Sequence, residues 1–279
     1  MYVGPLLIIL AFYLVYPTLN TIYLSFLDKN SESFVGLKNY IFTFTNPAMR
    51  VAFRNNILWL VLLTAFSVGM GLVIAVLANR VRYEAVVKSL IFLPLAISFV
   101  GAGVIWRCVY AFKPGDVAQI GLLNAALVNL GLEPIGWFVE KLLNNFALIA
   151  VGVWLQTGFC MVVFSAAIKS IPAEIIEAAR IDGATEWQVF WRVTVPMISS
   201  TIAVVATTVI INALKAFDIV FVLTNGNRGT EVLANRMYKE MFSFRNAGRA
   251  SAIAVILLLA IIPIMAVNIR RFQAQEAMR

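Results

Sequence analysis

The side chains of this chain that are able to do chemistry are few, and most of them lie inside apolar stretches. Trp154, Gln156 and Thr157 fall in one such stretch, and Asn212, Lys215 and Asp218 in another. Polar groups in the middle of a membrane span are costly, and they face the bundle interior or a watery path. Hydrogen-bonding side chains beside an aromatic platform suit a polyhydroxylated solute, and Trp154, Gln156 and Asn212 supply both. Asn212, Lys215 and Asp218 follow one another at intervals of three, which sets neighbours on one helix face. The same spacing equally serves a structural Lys215–Asp218 pair or hydrogen bonds between helices. Histidine is absent from the sequence, which removes imidazole ligands, His general bases and His proton relays. Cys108 and Cys160 sit in apolar stretches and read as small buried hydrophobes, neither a disulfide nor a metal site. No Gly-x-x-x-x-Gly-Lys-[Ser/Thr] run occurs, so the chain has no P-loop to cradle ATP phosphates.

These groups must be positioned by elements suited to lipid. The 279 residues are 61% hydrophobic and 13% charged, with a mean hydropathy of +0.88. A soluble domain carries charge on about a quarter of its residues, so most of this surface faces lipid or other apolar protein. The expected class is an all-α, polytopic membrane protein. Six apolar segments are long enough to cross the hydrocarbon as helices: Val3–Leu27, Ile57–Leu77, Ser89–Tyr110, Phe146–Ile168, Ile202–Leu223 and Ala250–Ile269. The gaps hold no soluble domain, so residues 1–279 form one membrane domain. Pro17 and Pro94 predict kinks, because each removes a backbone donor and clashes with the preceding turn.

Net charge is +8, but the basic residues sit between and at the ends of the apolar runs, which excludes a nucleic-acid module. The first run begins near Val3 with no basic residue before it, and reads as a first span rather than a signal peptide. Lys and Arg are densest in the Arg80–Lys88 connection and in the tail that ends at Arg279. That density leans toward both termini on the cytoplasmic side.

The segment 170–196 reads as two short helices joined by a turn. Pro172 suits the first helical turn, and Glu174 and Glu177 are favoured by the helix dipole. Gly183 stands where a left-handed residue would close the first helix. Thr185 and Gln188 have capping-box spacing for the second. Trp187, Phe190 and Trp191 share one face of it, and Pro196 ends the segment. Helices this short are not stable alone in water, so the aromatic face needs cover, from the headgroup layer or from a docked partner.

This stretch resembles the EAA loop of bacterial ABC importer permeases. Glu177, Ala178, Ala179, Gly183, Val193, Val195 and Pro196 fall on that motif, with valine in place of the more usual isoleucine and leucine. Phe34–Tyr40, Phe217-Asp218, Leu223–Gly226, Tyr238–Phe244, and Gly248 with Ala250 and Ser251 are similar to the maltose and glycerol-phosphate branch of that family. Asn225–Arg228 departs from the Gly-Gly-Pro usual there.

The resemblance implies a type I ABC importer permease fold, with six transmembrane helices and a two-helix cytoplasmic coupling loop at 170–196. It implies an ATPase-coupling role for Glu177, Ala178, Ala179, Gly183, Trp187, Trp191 and Pro196. It places the chain in the bacterial cytoplasmic membrane, among lipid, with both termini inside. The implied partners are a second, different permease, two ATP-binding cassette subunits and an extracytoplasmic solute-binding protein. No cofactor is bound by this chain; ATP and Mg²⁺ belong to the partner ATPases. The implied cargo is a sugar, a polyol or a glycerol-phosphate-like solute. The rival readings are an ion-driven secondary transporter, an ABC permease for amino acids or peptides, a membrane enzyme and a passive anchor. The lack of an internal repeat, and of intramembrane acids other than Asp218, speaks against the first of these.

Overall fold

The computed structural model describes residues 3–115 and 117–276; Met1 and Arg279 lie outside them. Among the described residues the regular structure is helical, with one isolated bridge between Leu27 and Phe34. The helices are α1 (Gly4–Leu24), α2 (Lys38–Thr45), α3 (Pro47–Ala78), α4 (Glu84–Phe92), α5 (Phe99–Val109), α6 (Leu122–Asn129) and α7 (Asn144–Lys169). They continue with α8 (Ala173–Ile181), α9 (Glu186–Val189), α10 (Ser199–Leu214), α11 (Asp218–Leu223), α12 (Leu233–Tyr238) and α13 (Ala247–Glu276). Wide π turns interrupt several of them, at Ala11–Val15, Trp59–Leu63, Phe190–Thr194 and Lys239–Ser243. The first of these turns precedes Pro17, whose missing N–H cannot complete a regular α ladder.

Among the described residues five helices are long and apolar enough to cross a membrane; a sixth crossing is counted only if one bent pair is a single span. That pair covers the segment read as Ser89–Tyr110, begins five residues earlier, and breaks beside Pro94, where a kink was expected. Glu84–Ala96 and Phe99–Val109 meet at 103°. The break has a local cause. Pro94 sits in a tight turn at Leu93–Ala96, Ile97 and Ser98 are extended, and the Ser98 hydroxyl caps α5 by accepting the Gly101 N–H at 3.0 Å.

The chain divides into two compact units. One comprises Met1–Ile57 and Leu214–Pro263. Its core joins Met49, Ala52, Leu233, Ala234, Ile253 and Leu257. Asn55 donates to the carbonyls of Gly229 and Glu231, each at 2.7 Å, and Asn56 accepts the Leu233 N–H at 2.8 Å. Buried charges there are paired, Glu231 with Lys239 at 2.7 Å and Glu240 with Arg236 at 2.6 Å, as a buried carboxylate requires. At Gly248 a Cβ would lie 2.1 Å from the Leu27 carbonyl, so only glycine permits that approach.

The other unit comprises Leu58–Ala213 and Ile264–Arg279, and α7 is its axis, with Leu148, Val151, Met161 and Phe164 fully buried. Small residues let the helices close on it. Gly71 on α3 faces Cys160, and Gly158 on α7 faces the Ile91 and Phe92 backbone of α4. Cys160 is buried, as expected; Cys108 is exposed, which corrects its reading as a core residue.

Candidate functional site

The segment 170–196 folds as α8, a turn, and α9 running through its π turn to Val195–Met197. Pro172 falls at the N-cap of α8, one place earlier than expected, and Glu174 sits in the first turn. Gly183 has φ +82°, in the left-handed region. Its N–H bonds to the Arg180 carbonyl, and the Ala184 N–H bonds to that of Ala179, both at 3.0 Å. This is the Schellman closure of a helix end. The next residues cap α9: Gln188 N–H donates to Thr185 Oγ1 at 3.3 Å, and Thr185 N–H to Gln188 Oε1 at 2.8 Å. Two helix ends are thus fixed within three residues of one another, which sets the angle between the helices.

The aromatic face is uncovered. Trp187 is 70% and Trp191 49% exposed, and their rings meet edge-on at 5.6 Å, with Phe190 at 4.9 Å from Trp191. Glu177 and Ala178 are exposed, Ala179 is half-buried, and α8 buries no residue fully. Glu177 has no ion-pair partner among the described residues. The carboxylate that ties the segment down is Glu186, whose oxygens reach Arg180 Nε at 2.8 Å and Arg80 at 2.6 Å. The hydrogen bond from Arg180, with the Arg80 charge beside it, holds the Glu186 carboxyl below its ordinary pKa. The pairing is therefore complete at neutral pH and is lost only as pH falls through that lowered value.

Glu186, Arg80 and Arg180 escaped the sequence reading. Only Arg180, six positions before Glu186, offered any local signal.

The mid-span polar groups divide differently from their expected grouping. Trp154 packs edge-on against Trp106 at 5.6 Å and lines a cavity of about 680 Å³ among Phe66, Met70, Ile91, Pro94 and Val153. Thr157 also lines it, but its hydroxyl is spent on the Val153 carbonyl at 2.7 Å. Gln156 is 4% exposed and is not on that wall. Two residues apart on a helix they point to different sides, so Trp154 and Gln156 do not form one platform. Asn212 is half-buried near the end of α10.

Lys215 and Asp218 need correcting too. The helix stops at Leu214 and restarts at Asp218, so Lys215 is exposed in a break and Asp218 heads α11. No shared helix face links Asn212, Lys215 and Asp218, and no Lys215–Asp218 ion pair forms among the described residues. Trp106, absent from the sequence reading, joins a run of rings through Tyr110 at 4.9 Å to Trp137 at a further 5.4 Å.

Residues 67–274 match the family described as binding-protein-dependent transport system inner membrane component. The chain belongs to that family. This permease is 64% identical over 279 residues to the osmoprotective compounds uptake permease protein GgtC of Synechocystis sp., with all of both chains covered. It is 46% identical over 271 residues to the alpha-glucoside transport system permease protein AglF of Rhizobium meliloti, covering 97% of this permease and 81% of the other. In structure it is similar to a chain of a bacterial ABC transporter involved in the import of the acidic polysaccharide alginate. The TM-score is 0.82 at 24% identity, over 95% of this permease and 93% of that chain. The fold is that of a type I ABC importer permease, and the permease is a multi-pass component of the inner membrane. The ion-driven carrier and passive-anchor readings fall away.

Proposed function

We propose that this permease carries a small neutral glycoside or sugar inward, driven by ATP hydrolysed on partner subunits. The observation that carries this reading is the end-to-end 64% identity to an osmoprotective compounds uptake permease. The alpha-glucoside permease at 46% supports it from a second side. A small glucoside that also serves as a compatible solute satisfies both descriptions. Segment 170–196 is the seat for an ATPase: Trp187 and Trp191 offer apolar area on a short helix, in the helix-in-groove manner, and Ala178 and Ala179 allow close approach. Glu177 faces outward to meet that partner, Gly183 sets the angle, and Pro196 ends the seat. A cytoplasmic seat puts both termini inside. The remaining partners are a second, different permease, a pair of ATPases holding ATP and Mg²⁺, and an extracytoplasmic binding protein.

The test is uptake by cells producing the complete transporter, with this permease present or deleted. A labelled glucoside of a small polyol, offered against sucrose, glycine betaine and an amino acid, is expected to accumulate only when the permease is present. Sugars are expected to compete, and betaine and the amino acid are not. Accumulation of betaine or amino acid alone would overturn the cargo assignment.

Of the candidate substrate residues, Trp154 has the best-placed side chain. Aromatic contacts contribute about 0.5–1.5 kcal/mol. Trp154→Ala is therefore expected to raise the half-saturating concentration roughly two- to twelvefold. Unchanged kinetics would make Trp154 a packing residue, and leave Gln156, Asn212, Lys215 and Asp218 as the candidates for cargo contact.

A further inference from the structure

Helix α8 buries no residue, and behind it lies a small gap of about 150 Å³ lined by Val76, Ile168, Ile176, Val189 and Phe190. Apolar packing therefore holds the segment at Val189, which is 4% exposed, and not along α8. Charge supplies a second tie. Glu186 takes Arg180 of its own segment on one oxygen and Arg80 on the other, and Arg80 belongs to the connection between α3 and α4. Four residues on, Glu84 pairs with Lys169 at the end of α7 at 2.6 Å, and also with Lys88. The Lys88 ammonium donates in turn to Asn79 Oδ1 at 2.7 Å, and to Ser165 of α7. The ends of α3, α4 and α7 are thus tied by one polar network, and Glu186 reaches it through Arg80, the chain neighbour of Asn79.

We propose that Glu186, paired with Arg80, is a positioning residue for energy coupling, which delivers displacement of segment 170–196 to α3 and α4 as well as to α7. This rests on reading the segment as the ATPase seat. Without the pair, an ATPase would still bind, but its stroke would reach the bundle through the chain connections at Lys169 and Pro196 and the packing of Val189, with no charged tie to the α3–α4 connection. Both bridges are about half exposed. Exposed pairs contribute little to global stability, so their loss should appear in coupling and not in folding.

The experiment uses the complete transporter in proteoliposomes, and reads solute uptake and ATP hydrolysis together. Arg80→Gln lies outside the seat. It is expected to keep wild-type co-purification of the ATPase and wild-type thermal stability, while uptake per ATP falls about tenfold, within the usual span of coupling free energies. Glu186→Gln should show the same fall, and the double variant no further fall, as residues acting through one contact do. Arg80→Lys should restore part of the ratio. A wild-type ratio in Arg80→Gln, or a double variant whose loss is the product of the singles, would overturn the proposal. So would loss of the ATPase from Glu186→Gln, which would make that carboxylate a direct partner contact. The seat itself is judged separately: if Gly183→Val leaves ATPase binding and uptake intact, the reading of 170–196 fails, whatever Arg80 does.

Discussion

Gly183→Val is expected to leave the permease in the membrane and to cut uptake by roughly tenfold or more. Nothing crowds the position; no heavy atom lies within 4 Å of the Cβ that valine would add. The obstacle is the backbone, at φ +82°. An L-residue in that region costs about 1–2 kcal/mol, more for a β-branched one. Helix α8 can escape the strain only by giving up the two hydrogen bonds that close it, and with no buried residue it is left with the half-exposed Arg180–Glu186 bridge to hold its direction. The Trp187–Trp191 face would then be presented at a different angle. Uptake of labelled solute per unit of membrane-inserted protein measures this directly. Gly183→Asn, which tolerates the left-handed region better, should be milder. Glu177→Lys should also fail to transport, because its side chain faces outward with its charge unspent. Wild-type uptake by both Gly183→Val and Glu177→Lys at equal expression would remove the docking role from this segment.

The second large effect concerns folding. At Gly158 an added Cβ would sit 2.5 Å from the Ile91 carbonyl oxygen and 2.9 Å from the Phe92 Cα. Both are backbone atoms of α4, so no side chain can swing aside, and the two helices must part. Overpacking of this kind costs about 1–3 kcal/mol or more. Gly158→Val is therefore expected to lower the unfolding temperature in detergent by several degrees and to reduce the amount recovered. Gly71→Ala meets Cys160 Cβ at 2.4 Å and the Met161 nitrogen at 3.0 Å. Pairing it with Cys160→Gly should recover part of the loss, whereas that second change should do nothing for Gly158→Val. Equal thermal stability of Gly158→Val and the wild type would show that α4 and α7 do not need this approach.

Much of this was legible in the residues, and the pattern of what was not is physical. Hydropathy located the apolar stretches because lipid demands them locally. The Gly183 closure and the Thr185–Gln188 cap were readable because each is settled within six residues. The break in the third stretch was half readable: Pro94 marked the place, but the turn to 103° also needs Ile97 and Ser98 extended. Lys215 and Asp218 were misplaced because their spacing assumes an unbroken helix, and the helix ends at Leu214, immediately before Lys215. Glu186 and Arg80 are 106 positions apart, and no periodicity joins residues at that distance.

The π turn at Phe190–Thr194 changes what the tryptophans are tied to. Each residue of an α-helix advances about 100° around the axis, so an unbroken helix would lock Trp187 and Trp191 in phase with the faces of α10. A π turn holds one residue more and resets that phase. The outward aromatic face and the bundle-facing side of α10 can therefore drift independently in sequence, each answering to its own neighbours. Deleting a single residue from this turn would leave an α turn with the tryptophans facing as they do now, whereas deleting one between the turn and Ser199 would rotate them by about 100° relative to α10. The second length variant would still insert and fold, but present its aromatic face in the wrong direction.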